Sequence, residues 1–331
     1  MSNKIIIIAE AGGNHNGSIQ KAYKLIDIAK NAGADYVKFQ TFKAETLVSK
    51  NAPKAKYQKR NVKKISHYEM IKKLEMSYSM HVKLLKYCKQ KKIKFLSSPF
   101  CIDSFYLLKK FNLDFIKIPS GEITNLPLLR HIKKFNNDVI LSTGMSNVNE
   151  INTAIKILKN KNRKIILLHC NTEYPTPFED INLNAMLSLK KQFKLDVGYS
   201  DHSLGIQVPI IAASLGAQVI EKHFTISKKM MGPDHAASLN PKELISMVKA
   251  IRSTETILGI RKKFVSKSEK KNILIARKSL FAARDIKKGE KFSLHNLVCL
   301  RPGSGISPMK IDKVCGLKAK KHFLKGQLIK I

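Results

Sequence analysis

The sequence predicts a (β/α)₈ barrel, the TIM-barrel fold class, followed by a small β-rich module. Eight short runs rich in β-branched residues alternate with segments that have helical spacing of apolar residues. Strands that alternate with helices form a parallel sheet, and eight such units over about 250 residues match the usual size of this barrel. Beyond residue 277 the pattern changes to short strands separated by glycine turns.

The eight strands are predicted from β-branched runs that end in polar residues. The first helical segment is clear because Ala22, Leu25, Ile26 and Ala29 share one helical face after Ser18. The second connection, from Thr41 to about residue 67, has weak periodicity and predicts a long loop over the barrel mouth. The predicted strands are 5–10, 36–40, 94–98, 115–119, 139–142, 165–169, 196–200 and 219–223.

The change in sequence pattern divides the chain into three predicted segments. Residues 1–262 are predicted to form the barrel, 263–277 a basic linker, and 278–331 the small module. Within the module, 285–292 and 322–329 resemble each other, and each has a Lys-Gly turn between apolar residues.

The net charge of +37 suggests polyanion binding as one functional class. The lysines are spread over the whole chain, however, and no aromatic-rich basic motif accompanies them. We therefore expect no nucleic-acid partner and interpret the charge as a compositional bias that also attracts anionic substrates.

The apolar content predicts a cytoplasmic protein without a membrane partner. The apolar run at the amino terminus has the length of a strand, and no run reaches the roughly 18 residues of a membrane helix. The five cysteines are scattered and form no CxxC pair, as expected in a reducing compartment.

Polar side chains stand at the carboxyl ends of all eight predicted strands, which is where barrel enzymes build their active sites. Lys38 and Lys117, with hydroxyls nearby, are suited to a phosphate and a carboxylate. His202 and His223 end neighbouring strands and are suited to a divalent ion. A hydroxylated second substrate would contact the remaining polar residues, which are Glu10, Gln40, Tyr174 and Asp234.

These strand ends resemble those of the sialic acid synthase family over nearly the whole chain. The matching segments are AEAGGNHNG (9–17), VKFQTFKA (37–44), KIPSGEITNLP (117–127), LSTGM (141–145), LHCNTEYPTPFEDINLNAM (168–186), GYSDHSLG (198–205), EKHFT (221–225), GPDHAASL (232–239) and RPGSGISPM (301–309).

The resemblance implies that phosphoenolpyruvate condenses with N-acetylmannosamine and water to give N-acetylneuraminate and phosphate. The alternative is an N,N′-diacetyllegionaminate synthase, which uses 2,4-diacetamido-2,4,6-trideoxymannose. The resemblance also implies that the module is an antifreeze-like (SAF) domain and that two chains form a domain-swapped homodimer. Arg301 would then contact the sugar in the partner's site.

The same resemblance implies a role for each site residue. Glu10, Lys38, Lys117, His202 and His223 are expected to be catalytic, with Mn²⁺ or Mg²⁺ on the two histidines. Sugar contacts are expected at Gln40, Tyr174, Asp234 and Arg301, besides Glu10. Contacts to phosphoenolpyruvate, besides Lys117, are expected at Ser98, Ser120, Ser142, Ser200 and either Asn171 or Thr172.

Two other functions stay open at this point. A Schiff-base aldolase would use Lys38 or Lys117 to form an imine with a keto acid. A polyanion-binding protein would show steep salt dependence and no turnover of phosphoenolpyruvate.

Overall fold

The computed structural model describes residues 4–62 and 64–331, and the chain forms two compact units. The first unit ends at Ile260 and the second is Arg261–Ile331.

The first unit is built around eight parallel strands that curve into a barrel. The strands are β1 Ile6–Gly12, β2 Tyr36–Thr41, β3 Lys94–Pro99, β4 Phe115–Ile118, β5 Asp138–Ser142, β6 Ile165–Cys170, β7 Asp196–Asp201 and β8 Val219–His223. In the ladder the order is β3-β2-β1-β8-β7-β6-β5-β4, and β3 and β4, the two ends, contact each other. The predicted TIM-barrel class is confirmed, and each predicted strand is present within two residues of its bounds.

Helices follow the strands and bury their apolar faces against them. The first helix begins at Ser18, whose side chain accepts a hydrogen bond from the Lys21 amide, and ends at Gly33 in the left-handed conformation. Among the described residues, no helix is both long and apolar enough to cross a membrane. The helices of this unit are α1 Ile19–Ala32, α2 Ala44–Leu47, α3 Lys56–Asn61, α4 His67–Lys72, α5 Tyr78–Lys91, α6 Ile102–Lys109, α7 Leu126–Lys133, α8 Val148–Leu158, α9 Asn184–Phe193, α10 Gln207–Ser214 and α11 Pro241–Leu258.

The β2–β3 connection differs from the predicted long loop because it holds α2, α3 and α4 before α5 begins. Each of these three helices has only four to six residues, which is too short to show a helical period in the sequence. Ser66 and Glu69 form a capping box that starts α4.

The barrel interior is packed below the active face. A layer of inward-pointing side chains fills it, so the open space is at the carboxyl ends of the strands. These side chains are Ile8, Tyr36, Leu96, Ile140, Ile166, Leu168 and Val219.

The second unit has its own core and one antiparallel strand pair. It contains α12 Lys270–Ala276, β9 Ser279–Ala282, β10 Leu297–Leu300 and α13 Ile311–Val314, so the predicted linker 263–277 includes a helix. The two similar segments pair with each other through Ile286 and Phe323. Their Lys-Gly turns place Gly289 and Gly326 at positive φ, which explains the glycines.

Candidate active site

A cavity of about 240 Å³ opens at the carboxyl ends of the barrel strands. It brings together residues from all eight strand ends and from the β2–β3 connection. The predicted site residues that line it are Glu10, Lys38, Gln40, Ser98, Lys117, Ser120, Ser142, Thr172, Tyr174, Ser200, His202, His223 and Asp234.

Four buried charges alternate in sign across the cavity floor. Glu10 and Lys38 are register partners on β1 and β2, and Lys38 Nζ lies 2.7 Å from Glu10 Oε2. Glu221 on β8 stands between the two lysines, with Lys38 Nζ and Lys117 Nζ each 3.6 Å from its carboxylate. Ionisable groups this deeply buried are tolerated because each lies beside a partner of opposite type or can be neutralised by a proton.

The two carboxylates have opposite pKa shifts. Burial raises the pKa of Glu10 to about 8, against the opposing charge of Lys38 and with added repulsion from Glu221. Burial alone would raise the pKa of Glu221 too, but Lys117 and Lys38 hold it below its ordinary value. At neutral pH, Glu221 is therefore ionised and Glu10 can carry a proton.

One side of the cavity has the features of an anion site. Lys117 Nζ donates to Ser142 Oγ at 2.7 Å, and Lys38 Nζ donates to Ser98 Oγ at 3.2 Å. Burial lowers the pKa of the Lys117 ammonium. Two charged donors beside hydroxyls can hold a phosphate and a carboxylate at once.

Gly144, after β5, lets Ser120 reach this anion site. Its amide donates to Ser120 Oγ at 3.0 Å. A Cβ at Gly144 would stand 2.9 Å from both Ser120 Oγ and Thr172 Cγ2, so any side chain there would displace them. The conformation of the Ser120 side chain therefore depends on a glycine at 144.

Three aromatic rings form the other side of the cavity. The Tyr174 ring stacks on His202 with centroids 4.1 Å apart, and its hydroxyl is 3.0 Å from His202 Nε2. The His202 and His223 rings are 5.4 Å apart. Burial lowers the pKa of both histidines, that of His202 to about 4, so both are neutral at pH 7.

The histidine pair fits a divalent ion. His223 Nδ1 is buried and has no hydrogen-bond partner among the described residues, so this ring nitrogen is available to a ligand in the cavity. His202 Nδ1 is held by the Asn171 carbonyl, and its Nε2 faces Tyr174. Within residues 4–62 and 64–331, no cluster of three His, Cys, Asp or Glu side chains could form a metal site. An ion bound here would have two protein ligands, His202 and His223, and its other coordination positions would be open.

Residues that were predicted to bind the sugar also lie together in the cavity. Gln40 and Asp234 line the cavity, and burial raises the pKa of Asp234 to about 6. Tyr174 stacks on Tyr57 from α3 at 5.0 Å, which extends the aromatic surface from His202 towards the mouth.

Two predicted residues are not on the cavity wall. The Asn171 side-chain amide donates to the Asp180 carbonyl at 2.7 Å, whereas its neighbour Thr172 lines the cavity. Arg301 lies in the second unit, where it is exposed and its Nε donates to the Ala276 carbonyl at 2.9 Å.

Sequence reasoning did not assign a role to Glu221 or to the β2–β3 connection. Glu221 could have been found, because it is two residues before His223 on β8 and so shares its face. Tyr57 carried no such signal, since α3 is too short to show a pattern.

Comparison with known proteins decides the family. The NeuB family model matches residues 25–263, and the SAF domain model matches residues 277–331. The chain belongs to the NeuB family. The predicted relationship to sialic acid synthases and the predicted SAF domain are confirmed.

Three proteins show how this NeuB family member relates to others. It is 52% identical to the N,N′-diacetyllegionaminic acid synthase of Campylobacter jejuni, over 99% of both chains. It is 44% identical to the synthase of the same name from Legionella pneumophila, over 97% of this chain and 92% of the relative. The crystal structure of an N-acetylneuraminic acid synthetase from Leptospira borgpetersenii, in complex with citrate, superposes with a TM-score of 0.73 at 35% identity. That match covers 82% of this chain and 91% of the other.

The NeuB family member is therefore an enzyme of carbohydrate biosynthesis. The predicted class, a carbon–carbon bond-forming synthase that uses phosphoenolpyruvate, is confirmed by this membership.

Proposed function

We propose that this enzyme condenses phosphoenolpyruvate with 2,4-diacetamido-2,4,6-trideoxymannose and water, giving N,N′-diacetyllegionaminate and phosphate. The observation that carries the proposal is that the Lys38–Lys117 anion site and the His202–His223 pair line one cavity. The choice of sugar is supported by the two relatives of that name. It replaces N-acetylmannosamine, which the sequence alone favoured and which remains the second candidate.

The chain's own residues would bind phosphoenolpyruvate as follows. Lys117 with Ser142, and Lys38 with Ser98, hold the phosphate and the carboxylate. Ser120 and Thr172 complete the cradle on the same side. These contacts hold the C2–C3 bond of phosphoenolpyruvate in one orientation. C3 can then attack the sugar aldehyde, water can add at C2, and phosphate can leave by C–O cleavage.

His202 and His223 would hold Mn²⁺ or Mg²⁺ at the sugar end. When bound, such an ion supplies Lewis-acid polarisation of the aldehyde, which makes its carbon more electrophilic. Tyr174, Gln40 and Asp234 orient the open-chain sugar through its hydroxyl and amide groups.

Glu10 would handle the proton. In register it lies between Lys38 and His223, at the junction of the anion side and the sugar side. With a pKa of about 8 it can be protonated in the free enzyme, donate to the aldehyde oxygen as the carbon–carbon bond forms, and recover a proton from the water that adds at C2. Protons then balance over one turnover.

The test is phosphate release from phosphoenolpyruvate with each of the two sugars in turn. We expect turnover with the diacetamido sugar, its loss in chelator and its recovery with Mn²⁺. His202→Ala should lose activity while circular dichroism and thermal unfolding remain those of a folded barrel. Near-normal turnover of His202→Ala with metal would contradict the histidine assignment.

The Schiff-base aldolase is the second candidate reaction, favoured by the lowered pKa of Lys117. Borohydride with pyruvate should leave the mass of the protein unchanged. A covalent adduct on Lys38 or Lys117 would replace the condensation proposal by the aldolase.

We also propose the domain-swapped homodimer, in which Arg301 of one chain completes the sugar site of the other. Its support is the matched SAF domain and the exposed guanidinium of Arg301.

A further inference from the structure

One wall of the cavity is apolar, whereas the barrel strand ends contribute mainly charged or polar side chains. It comes from the β2–β3 connection and is hereafter called the apolar wall. Its members are Phe42, Leu47, Met70, Ile71 and Leu74. Phe42, Met70 and Leu74 are buried, whereas Leu47 and Ile71 are partly exposed within the cavity.

The apolar wall is fixed against the catalytic side of the barrel. Leu74 packs on Gly13, just after β1, where a Cβ would stand 3.0 Å from Leu74 Cδ1. The Ala44 amide donates to Glu75 Oε1 at 2.6 Å, which joins α2 to the chain beyond α4. Asn61 Nδ2 donates to the Pro233 carbonyl at 2.6 Å, which joins α3 to the loop that carries Asp234.

Few hydrogen-bonding groups accompany the apolar wall. Among the described residues of this connection, Tyr57 and Gln58 are the side chains with hydrogen-bonding groups that line the cavity, and Gln58 is partly engaged already. Its Oε1 accepts from the Ala55 amide at 3.0 Å, and its Nε2 is 3.4 Å from Tyr57 Oη. A sugar hydroxyl placed against the side chain of Leu47 or Ile71 would therefore lose water and gain no hydrogen bond from that side chain.

The two candidate sugars differ in the groups that this wall would meet. The diacetamido trideoxy sugar carries an acetamido methyl at C4 and a methyl at C6, in addition to the acetamido group at C2. N-acetylmannosamine carries hydroxyls at C4 and C6 instead. An apolar surface favours methyl groups, and it discriminates against an added hydroxyl by up to about 100-fold.

We infer that the apolar wall is the specificity determinant of the sugar site, with Leu47 and Ile71 receiving the C4 acetamido and C6 methyl groups. This inference rests on the proposed condensation reaction. The inference extends the proposed reaction by assigning the selection of the sugar to the β2–β3 connection and not to the charged residues of the cavity floor.

The test compares kcat/KM for the two sugars in the wild type, Leu47→Asn, Ile71→Thr and the control Val48→Asn. Val48 neighbours Leu47 and is similarly half-buried, but it does not line the cavity. We expect Leu47→Asn and Ile71→Thr to lower the ratio of diacetamido sugar to N-acetylmannosamine by about 10-fold, within the range that one apolar group supplies. The KM for phosphoenolpyruvate should change less than about twofold, since that substrate binds away from the wall.

An unchanged ratio in both Leu47→Asn and Ile71→Thr, in protein that still releases phosphate, would overturn the inference and leave the condensation reaction standing. Ile71→Thr keeps the branched shape, so it gives a result even if Leu47→Asn does not fold. Phosphate release with neither sugar in the wild type would instead reject the proposed function, and the inference with it.

Discussion

Glu10 and Glu221 show how the surroundings of a residue decide its chemistry. Both are glutamates on adjacent strands, and both are almost fully buried. Glu221 has two lysines at 3.6 Å and accepts a hydrogen bond from Ser200 at 3.0 Å, so it is held ionised. Glu10 faces one lysine and the repulsion of Glu221, so its proton is retained to higher pH.

We predict that Glu221→Gln lowers the pKa of Glu10, because it removes the repulsion that contributes to raising it. The limb of the pH–kcat/KM profile that belongs to Glu10 should move to lower pH. The KM for phosphoenolpyruvate should also fall severalfold, since the cavity gains one positive charge.

A control for this variant is Glu255→Gln, which neutralises a carboxylate at the Ile5 amide, on the opposite end of the barrel. It should leave the pH profile in place. The same profile in Glu221→Gln and the wild type would show that the two carboxylates are not coupled.

At the scale of the strands, β7 and β8 are joined by a second ion pair behind the site. Asp201 and Lys222 are register partners, each adjacent in sequence to one histidine of the pair. Because successive side chains of a strand alternate, they point away from the cavity while His202 and His223 point into it. Lys222 Nζ donates to Asp201 Oδ2, and it also donates to the Ser203 carbonyl at 2.7 Å. Both charges are almost fully buried.

We predict that Lys222→Met destabilises the barrel by about 3–5 kcal/mol, because it leaves the Asp201 charge buried without its partner. The double variant Asp201→Leu/Lys222→Met should recover most of this loss, since it removes both charges. Urea unfolding gives the free energy of each variant for a double-mutant cycle. Additive losses in the double variant would show that the pair is not a coupled unit.

The strands of this barrel could be predicted from the sequence, but the connection that shapes the site could not. Strands such as β8 are apolar runs that end in Glu221 and His223, and that pattern is local. The apolar wall depends on α2 and α4, whose four to six residues hold no periodic signal. Leu47 and Ile71 become neighbours of the cavity only when the connection packs on Gly13 and Pro233, which is tertiary information.

The charged residues of the site also include some that the sequence predicts and one whose position depends on tertiary structure. Lys38, Lys117, His202 and His223 could be found as strand-end residues. The position of Glu221 between the two lysines depends on the curvature of the barrel, because β4, which carries Lys117, is separated from β8 by three strands in the ladder, whereas β2 is separated from it by β1 alone.

For the whole molecule, buried neutral histidines predict acid sensitivity. Burial lowers the pKa of His15, His202 and His235 to about 4, whereas an unfolded chain has the ordinary value of about 6.5. Unfolding therefore takes up protons between these values, so stability is full above pH 6.5 and is lost as the pH falls towards 4. Glu10 acts in the opposite sense, since its raised pKa contributes stability below its ordinary value and loses it as the pH rises to about 8.

We expect the free energy of unfolding in urea to fall between pH 7 and pH 5, by up to about 1.4 kcal/mol per pH unit for each histidine, and the urea midpoint to fall with it. Asp234, whose pKa burial raises to about 6, acts in the same sense as Glu10, and three histidines outweigh these two carboxyls in this range. A midpoint that is equal or higher at pH 5 would show that these imidazoles are protonated in the folded state.

The proposed dimer gives a prediction at the same scale. Arg301→Ala should raise the KM for the sugar far more than that for phosphoenolpyruvate, because Arg301 would contact the sugar of the partner's site. Arg301→Lys tests whether the guanidinium fork is needed beyond its charge. An unchanged sugar KM in Arg301→Ala would exclude Arg301 from the site.

The packed layer under the cavity, which includes Ile8, Leu96 and Ile166, has a kinetic consequence. With the lower barrel filled by side chains, reactants arrive and products depart on the same side. Lys38 and Lys117 are almost fully buried, whereas Leu47 and Ile71 of the apolar wall are partly exposed, so we expect a sugar that arrived first to obstruct the path of phosphoenolpyruvate. Binding should then be ordered, with the anion first, and an unreactive sugar analogue should trap bound phosphoenolpyruvate and slow its exchange.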